Sequence, residues 1–194
     1  MKVELISITP NCELIIEEAG RTCYKSKTGN PEIIKNWIKA GHESVIEHAS
    51  ATFRVSEVSR ALTHQLVRHR VASYSQQSQR YVSEEEFGYV IPESIKKCEI
   101  EEVLNVYKDI MSTIQKAYKT FVEAGIPKED SRFILPNACH TEIVLTMNFR
   151  ELRHFLKLRM DKHAQWEIRQ LANYILSILK HHAPNVFYDM ENEI

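Results

Sequence analysis

Glycine, paired cysteines, net charge and long apolar runs are all scarce in this chain, and each shortage removes a class of function. Five glycines are spread over 194 residues. None lies in the polar stretch Arg68–Val82, so that stretch is neither a P-loop nor a dinucleotide-binding glycine fingerprint. Strand–helix alternation with a glycine turn is missing too, which argues against a Rossmann fold. The four cysteines, Cys12, Cys23, Cys98 and Cys139, contain no CxxC pair, so a zinc knuckle is not expected. Scattered thiols in a chain of this length point to reduced cysteines and a cytoplasmic location. No apolar run is long enough to span a membrane, and the start, MKVELISITPNCEL, has no signal-peptide core. Lysine and arginine number 25 against 26 acidic residues, a net charge of −1, so the chain lacks the basic excess of a general nucleic-acid binder. Internal repeats and low-complexity tracts are also missing.

What remains is an ordinary soluble composition, 43% hydrophobic and 26% charged, long enough to bury a core within one domain over residues 1–194. Met1–Thr9 reads as a strand broken by Pro10. Asn11 is placed to cap a helix over Glu13–Ala19, ended by Gly20. Lys25–Asn30 reads as a polar loop, and Pro31 starts a helix to Ala40. Ala49–Val55 reads as a short strand, and Ser56–Val67 as a helix delivering Gln65, Arg68 and His69 at its end. The segment after it reads as a loop, and Glu84–Glu86 as a solvated acidic face. Ile100–Glu123 repeats apolar residues every three or four positions, a long amphipathic helix. Lys128–Leu135 is a short helix stopped by Pro136, Thr141–Met147 a strand, and Arg150–Leu158 and Ala164–His182 are helices. Runs of helices around separated strands predict an α+β fold, a small mainly antiparallel sheet with several long helices.

The segment RHRVASYSQQSQRYV, Arg68–Val82, cannot exist for the core, because it has few aliphatic side chains to bury. It offers arginine forks matched to a phosphate or an imide carbonyl, with hydroxyls and amides around them. From residue types alone, two readings stand: a side-chain-built site for a planar anionic ligand, and a surface that touches nucleic acid.

Three blocks in register extend the reading over nearly the whole chain. Arg68-His69-Arg70, then seven residues, then Ser78 and Arg80-Tyr81, resembles the signature of the flavin-dependent thymidylate synthases. MNFRELRHFLKLRMDKHAQWEIRQLA, Met147–Ala172, and GHESVIEHASATF, Gly41–Phe53, resemble two further segments of that family. The resemblance implies conversion of dUMP to dTMP, with FAD carrying the hydride, NADPH supplying it and methylenetetrahydrofolate giving the carbon. It implies a homotetramer acting on small molecules, without nucleic acid or membrane partners. A flavoenzyme of the same fold acting on another pyrimidine nucleotide is a further reading, because phosphate and imide contacts look alike.

Carried over position by position, the resemblance implies a dUMP site at Gln65, Arg68, Ser78, Gln79, Arg80, Arg132 and Arg159. It implies FAD contacts at His48, Ser50, Arg68, His69, Arg70, Gln76, Asn148, Arg150, His154, Leu158 and His163. Arg159 and Ser78 are the catalytic candidates. Arg159 is expected against the uracil carbonyl edge, where a cation stabilises charge spreading through the ring. Ser78 is expected as a substrate-binding hydroxyl, since no nearby acid in the sequence orients a base for it. No metal site is expected. The other histidines, His42, His64, His181 and His182, read as structural.

Two positions depart from the family pattern. Gln76 stands where some members have a carboxylate, which leaves it at most a hydrogen-bonding role. Cys23 stands where others carry a serine near the flavin. Cys139-His140 looks like part of the nucleophile motif of the unrelated, cysteine-dependent thymidylate synthases. The rest of that motif is missing, so Cys139 reads as structural.

Overall fold

The computed structural model describes residues 1–23, 25 and 29–191. The chain opens with strand β1 (Lys2–Ile8), helix α1 (Cys12–Thr22), helix α2 (Ile33–Lys39) and a 3-10 turn over Glu43–His48. Strand β2 (Ser50–Ser59), helix α3 (Arg60–Leu66) and strand β3 (Ala72–Gln76) follow. Next come helix α4 (Glu93–Lys96), helix α5 (Glu101–Glu123), helix α6 (Lys128–Ser131) and a 3-10 turn over Arg132–Ile134. Strand β4 (His140–Asn148), helix α7 (Phe149–Arg159) and helix α8 (Trp166–His182) complete it. The four strands form an antiparallel sheet in the order β1-β2-β4-β3. The fold class is therefore α+β, as the residue pattern predicts.

The chain divides into two compact units. One holds Met1–Val55, Gln65–Ser75 and Val144–Ile194; the other holds Ser56–His64 and Gln76–Ile143. We refer to them as the first and second units. Strands β2, β3 and β4 contribute residues to both.

In the first unit, α7 and α8 supply much of the core. Leu152, Phe155, Leu156, Ile168, Leu171, Ile175 and Leu179 are fully buried, at the helical spacing that puts them on one side of each helix. Phe149 and Phe187 meet edge to face with centroids 5.5 Å apart. Arg153 is buried among them and forms a bidentate pair with Asp189, at 2.7 and 2.8 Å. Gly20 does not end α1. It lies inside the helix, where only glycine fits, because a Cβ there would come within 2.4 Å of the Trp37 ring. Asn11 does not cap with its side chain. It takes a left-handed conformation, φ 49°, and its carbonyl accepts from Leu14 and Ile15 N–H. Part of the predicted loop Lys25–Asn30, residues 26–28, lies outside the described residues.

Three further elements differ from the residue pattern. Ser56–Ser59 continues β2 rather than starting a helix. Branched Val55 and Val58 favour the strand. The helix waits for Ser59, whose Oγ accepts from Leu62 N–H at 3.0 Å and caps α3. The polar segment after α3 includes strand β3 rather than being all loop: ladder partners supply what its own composition does not. Glu84 is not on a solvated face; it is 5% exposed, beside Cys139. Phe87, Met111 and Cys139 form the second unit's apolar centre, with Tyr107 and Ile114 of α5 packed on it. Of the long apolar stripe of α5, Val103, Val106 and Ile110 remain exposed.

Candidate functional site

Helix α7 builds the most organised polar site of the first unit. Asn148 is its N-cap, accepting from Glu151 N–H at 2.8 Å. Helical spacing then lines Glu151, His154, Phe155, Leu158 and Arg159 along one side. His69, just past α3 and 4% exposed, lies against them. Its Nδ1 is 3.2 Å from Glu151 Oε1, and its Nε2 is 3.0 Å from Arg159 Nε. Its ring meets Phe155 edge-on, centroids 5.1 Å apart, and lies 5.8 Å from the His154 ring. Tyr74 of β3 donates its hydroxyl to the carbonyls of Leu66 and His69, both at 2.9 Å. This fixes the backbone that carries His69.

The charges settle the state of the ring. Burial, then the Arg159 cation, then His154 push His69 down to about 4, so the imidazole is neutral at pH 7. Arg159 Nε always carries a proton, so His69 Nε2 must be the acceptor. The ring proton is therefore on Nδ1 and is donated to Glu151. Burial holds the Glu151 carboxyl above its usual range. Arg159 also donates Nη2–H to the Gln65 carbonyl at 3.1 Å. Its place in the last turn of α7 suits a cation. Ligand atoms of His69, Glu151 and His154 lie within 4.8 Å of one another, close enough to share a divalent cation. The Arg159 guanidinium on the other ring nitrogen opposes a second cation there.

A cleft of about 360 Å³ opens on the same helix, lined by Glu43, Glu47, Val71, Asn148, Arg150, Glu151, Arg153, His154 and Lys157. Arg150 is exposed and paired with Glu47 at 2.5 Å, which raises its already high pKa. The structure thus brings together Asn148, Arg150 and His154 of the flavin candidates at one cleft, and Gln65, His69 and Arg159 in one hydrogen-bonded set. The side chains of Arg68 and Arg70 are exposed, with no hydrogen bond or ion pair to any of the described residues. Leu158 is half exposed. His48 ends the 3-10 turn, exposed, and Ser50 begins β2 with its N–H on Thr9 Oγ1 at 2.9 Å. His163 is exposed, with Nδ1 2.9 Å from Asp161.

The remaining candidates fall in the second unit. Gln76 donates its amide to Thr63 Oγ1 at 2.9 Å and Thr141 Oγ1 at 3.2 Å. Ser78 Oγ accepts from Arg80 N–H at 3.3 Å. Arg80 pairs with the Glu129 carboxylate at 3.0 Å, and Arg132 donates to the Glu129 carbonyl at 3.1 Å, so one residue organises both cations. Gln79 is buried and donates to Cys139 Sγ at 3.7 Å. Cys139 in turn donates to Glu84 at 3.8 Å. Burial and Glu84 push the Cys139 thiol up to about 12, which leaves it inert as a nucleophile at neutral pH. This unit also has a cleft of about 360 Å³, lined in part by Glu57, Glu84, Glu86, His140 and Glu142. Its acidic wall is unsuited to a phosphate.

Residue types alone did not reveal Glu151, Tyr74, Phe155 or Glu129. The sequence does carry a trace of Glu151: Asn148-x-x-Glu151 has the spacing of a capping box, and Glu151 sits one turn from two candidates on its helix. Tyr74 and Glu129 act through fold contacts that leave no local pattern.

The family described as thymidylate synthase complementing protein matches residues 4–185. A flavin-dependent thymidylate synthase of Geobacter sulfurreducens is 44% identical, over 97% of this chain and 86% of that protein. One from Clostridium tetani is 42% identical over 96% of this chain and 85% of its own length. One from Saccharolobus solfataricus is 40% identical over 96% and 75%.

Proposed function

The chain belongs to the thymidylate synthase complementing protein family, and from that premise we propose that it is a flavin-dependent thymidylate synthase, converting dUMP to dTMP. FAD is the cofactor in this reading, with NADPH as reductant and methylenetetrahydrofolate as one-carbon donor. The 194 residues act as one functional domain, in a cytoplasmic homotetramer without nucleic-acid or membrane partners. Among the described residues no helix is long and apolar enough to cross a membrane.

The observation that carries the reading is the state of Arg159. Two of its five N–H donors are taken, by His69 and by Gln65. Among the described residues nothing takes the Nη1 pair. A planar cation held on one edge, with donors left on the other, fits the carbonyl edge of a uracil ring. Negative charge that develops as the ring carbon attacks is stabilised there without reorganisation of the site. The nucleotide phosphate needs several cationic and hydroxyl donors, and Arg68, Ser78, Gln79, Arg80 and Arg132 are the residues assigned to it. Ser78 acts as a hydrogen-bond partner, not as a nucleophile.

The residues present also fit a flavin dinucleotide. Arg68 and Arg70 offer guanidinium groups that no described residue pairs, fit for a pyrophosphate, and Val71, next in the chain, lines the cleft. Arg150, Asn148 and His154 supply donors around that cleft, and Leu158, half exposed one turn beyond His154, supplies an apolar face. His48, Ser50, Gln76 and His163 complete the assigned set. FAD, when bound, supplies the redox chemistry; the chain positions and polarises.

The test is direct. Purified protein given FAD should take up flavin absorbance, and with dUMP, NADPH and methylenetetrahydrofolate it should release dTMP. Folded protein that never retains FAD, or that turns over a different pyrimidine nucleotide in preference to dUMP, contradicts the reading. Salt-sensitive DNA or RNA binding by a colourless protein would favour a nucleic-acid module instead.

A further inference from the structure

We propose that Glu151 is a positioning residue of this site: acting through His69, it holds the Arg159 guanidinium in place for the nucleotide. The inference rests on the reading of Arg159 given above.

Two observations carry it. The first is the continuous line of hydrogen bonds Glu151–His69–Arg159, 3.2 and 3.0 Å long. It runs through a ring that is packed edge-on against Phe155 and is 4% exposed. A buried neutral imidazole has one donor and one acceptor, and it fixes a neighbour only if both are committed. Glu151 takes the Nδ1 proton and so leaves Nε2 facing Arg159 as an acceptor.

The second observation is a bond that Glu151 does not make. It occupies the third position of α7, where the Asn148-x-x-Glu151 pattern would send its carboxylate back to the N-cap N–H. The Asn148 half of that box is present, at 2.8 Å. The carboxylate is instead committed to His69. A group that caps a helix by sequence, and is diverted to a buried imidazole by structure, serves the imidazole.

The test is a double-mutant cycle on flavin-loaded protein, read as single-turnover methylation and as dUMP dissociation constant. Glu151→Asp keeps the charge and the helix but withdraws the oxygen from Nδ1. Glu151→Gln keeps an acceptor oxygen in place. In an otherwise unaltered chain, Glu151→Asp should slow methylation about tenfold, the scale expected of coupled neighbours, and Glu151→Gln should keep more than half of the rate. In the Arg159→Ala background, Glu151→Asp should cost less than about twofold, because its effect passes through Arg159. Nitrogen-15 spectra without substrate give a second readout: a neutral His69 protonated at Nδ1. Equal costs of Glu151→Asp in both backgrounds, or a neutral His69 protonated at Nε2, overturns this proposal alone. Arg159→Ala methylating at full rate overturns the reading of Arg159, and the proposal with it.

Discussion

Each unit contains a buried polar network, and the two end differently. In the second unit, Gln79 donates to Cys139, Cys139 to Glu84, and Gln77 to Glu84 at 3.3 Å. Arg60 donates to the Gln77 carbonyl at 3.2 Å. At its centre the buried Cys139 thiol and Glu84 carboxylate are matched to each other and to two amides, and in that sense the network is closed. In the first unit, Glu151, His69 and Gln65 converge on Arg159 and leave part of its guanidinium unspent. A closed network satisfies buried groups and specifies a packing. An open one delivers oriented donors to something else. The difference is geometric, since both networks join charged and neutral partners. It implies that changes in closed networks act on stability alone, and that changes in the open one act on turnover as well.

The largest effect on stability is expected from the buried Arg153–Asp189 pair in the first unit. Arg153→Ala empties a buried site and removes the fork on Asp189 and the bond to the Val186 carbonyl, at a cost of about 2–4 kcal/mol. Urea unfolding with intrinsic fluorescence reads the loss, and a midpoint within error of the unaltered protein would contradict it.

The acid limb comes next. His69 lies at about 4 in the folded chain against an ordinary 6.5. A depressed folded value means that its contribution is present above pH 6.5 and is lost as pH falls toward 4. The loss is about 2 kcal/mol after allowance for partial solvent contact. His69→Asn should therefore be less stable than the unaltered chain at pH 7, with the gap narrowing between pH 6.5 and 4. Among the groups facing His69, Glu151 is shifted upward. Its contribution has the opposite sign, so the comparison is made between the two chains rather than on either alone.

Glu84 sharpens the contrast from the other side. Burial raises its folded pKa, so its contribution is present below its ordinary value and is lost as pH rises. Glu84→Gln retains an acceptor for Cys139 and removes a buried charge. At neutral pH it should change stability by about 1 kcal/mol or less, with the balance shifting in its favour as pH rises above 4.5, the ordinary value. A pH-independent difference from the unaltered chain would contradict the assignment.

The smallest effect is expected at Cys139. Cys139→Ser should fold and keep most of its turnover. Iodoacetamide at pH 8 should label exposed Cys23 well before buried Cys139. Loss of activity in a folded, flavin-bound Cys139→Ser protein would reopen the question of a cysteine nucleophile.

How much of this was legible in the sequence follows the reach of the interactions. Helices α5 and α8 and strand β4 are written in periodicity, and their observed bounds lie within two residues of the predicted ones. The start of α3 is not, because Ser56 to Ser59 are held as strand and the cap at Ser59 overrides a helix-like spacing. The residues of strand β3 read as loop, since Ser73 and Ser75 give no apolar alternation. Glu84 reads as solvated because an acidic run carries no sign of a buried thiol 55 residues away. Arg159, His69 and their companions came from the motif resemblance. The state of the His69 ring could come only from the contacts around it. Glu151 stood in plain view as a capping residue, and nothing local marked its diversion to His69.

The most direct measurement of the central claim is single-turnover dTMP formation by flavin-loaded Arg159→Ala at saturating dUMP. Saturation removes any loss of affinity, so only stabilisation of the reacting ring is read. The expected result is a rate lower by roughly 10²-fold or more, the scale for losing one oriented donor set at developing charge. Arg159→Lys should recover part of it through charge without the planar fork. A saturated Arg159→Ala rate equal to that of the unaltered protein would contradict the account, and would leave Arg159 a binding or surface residue.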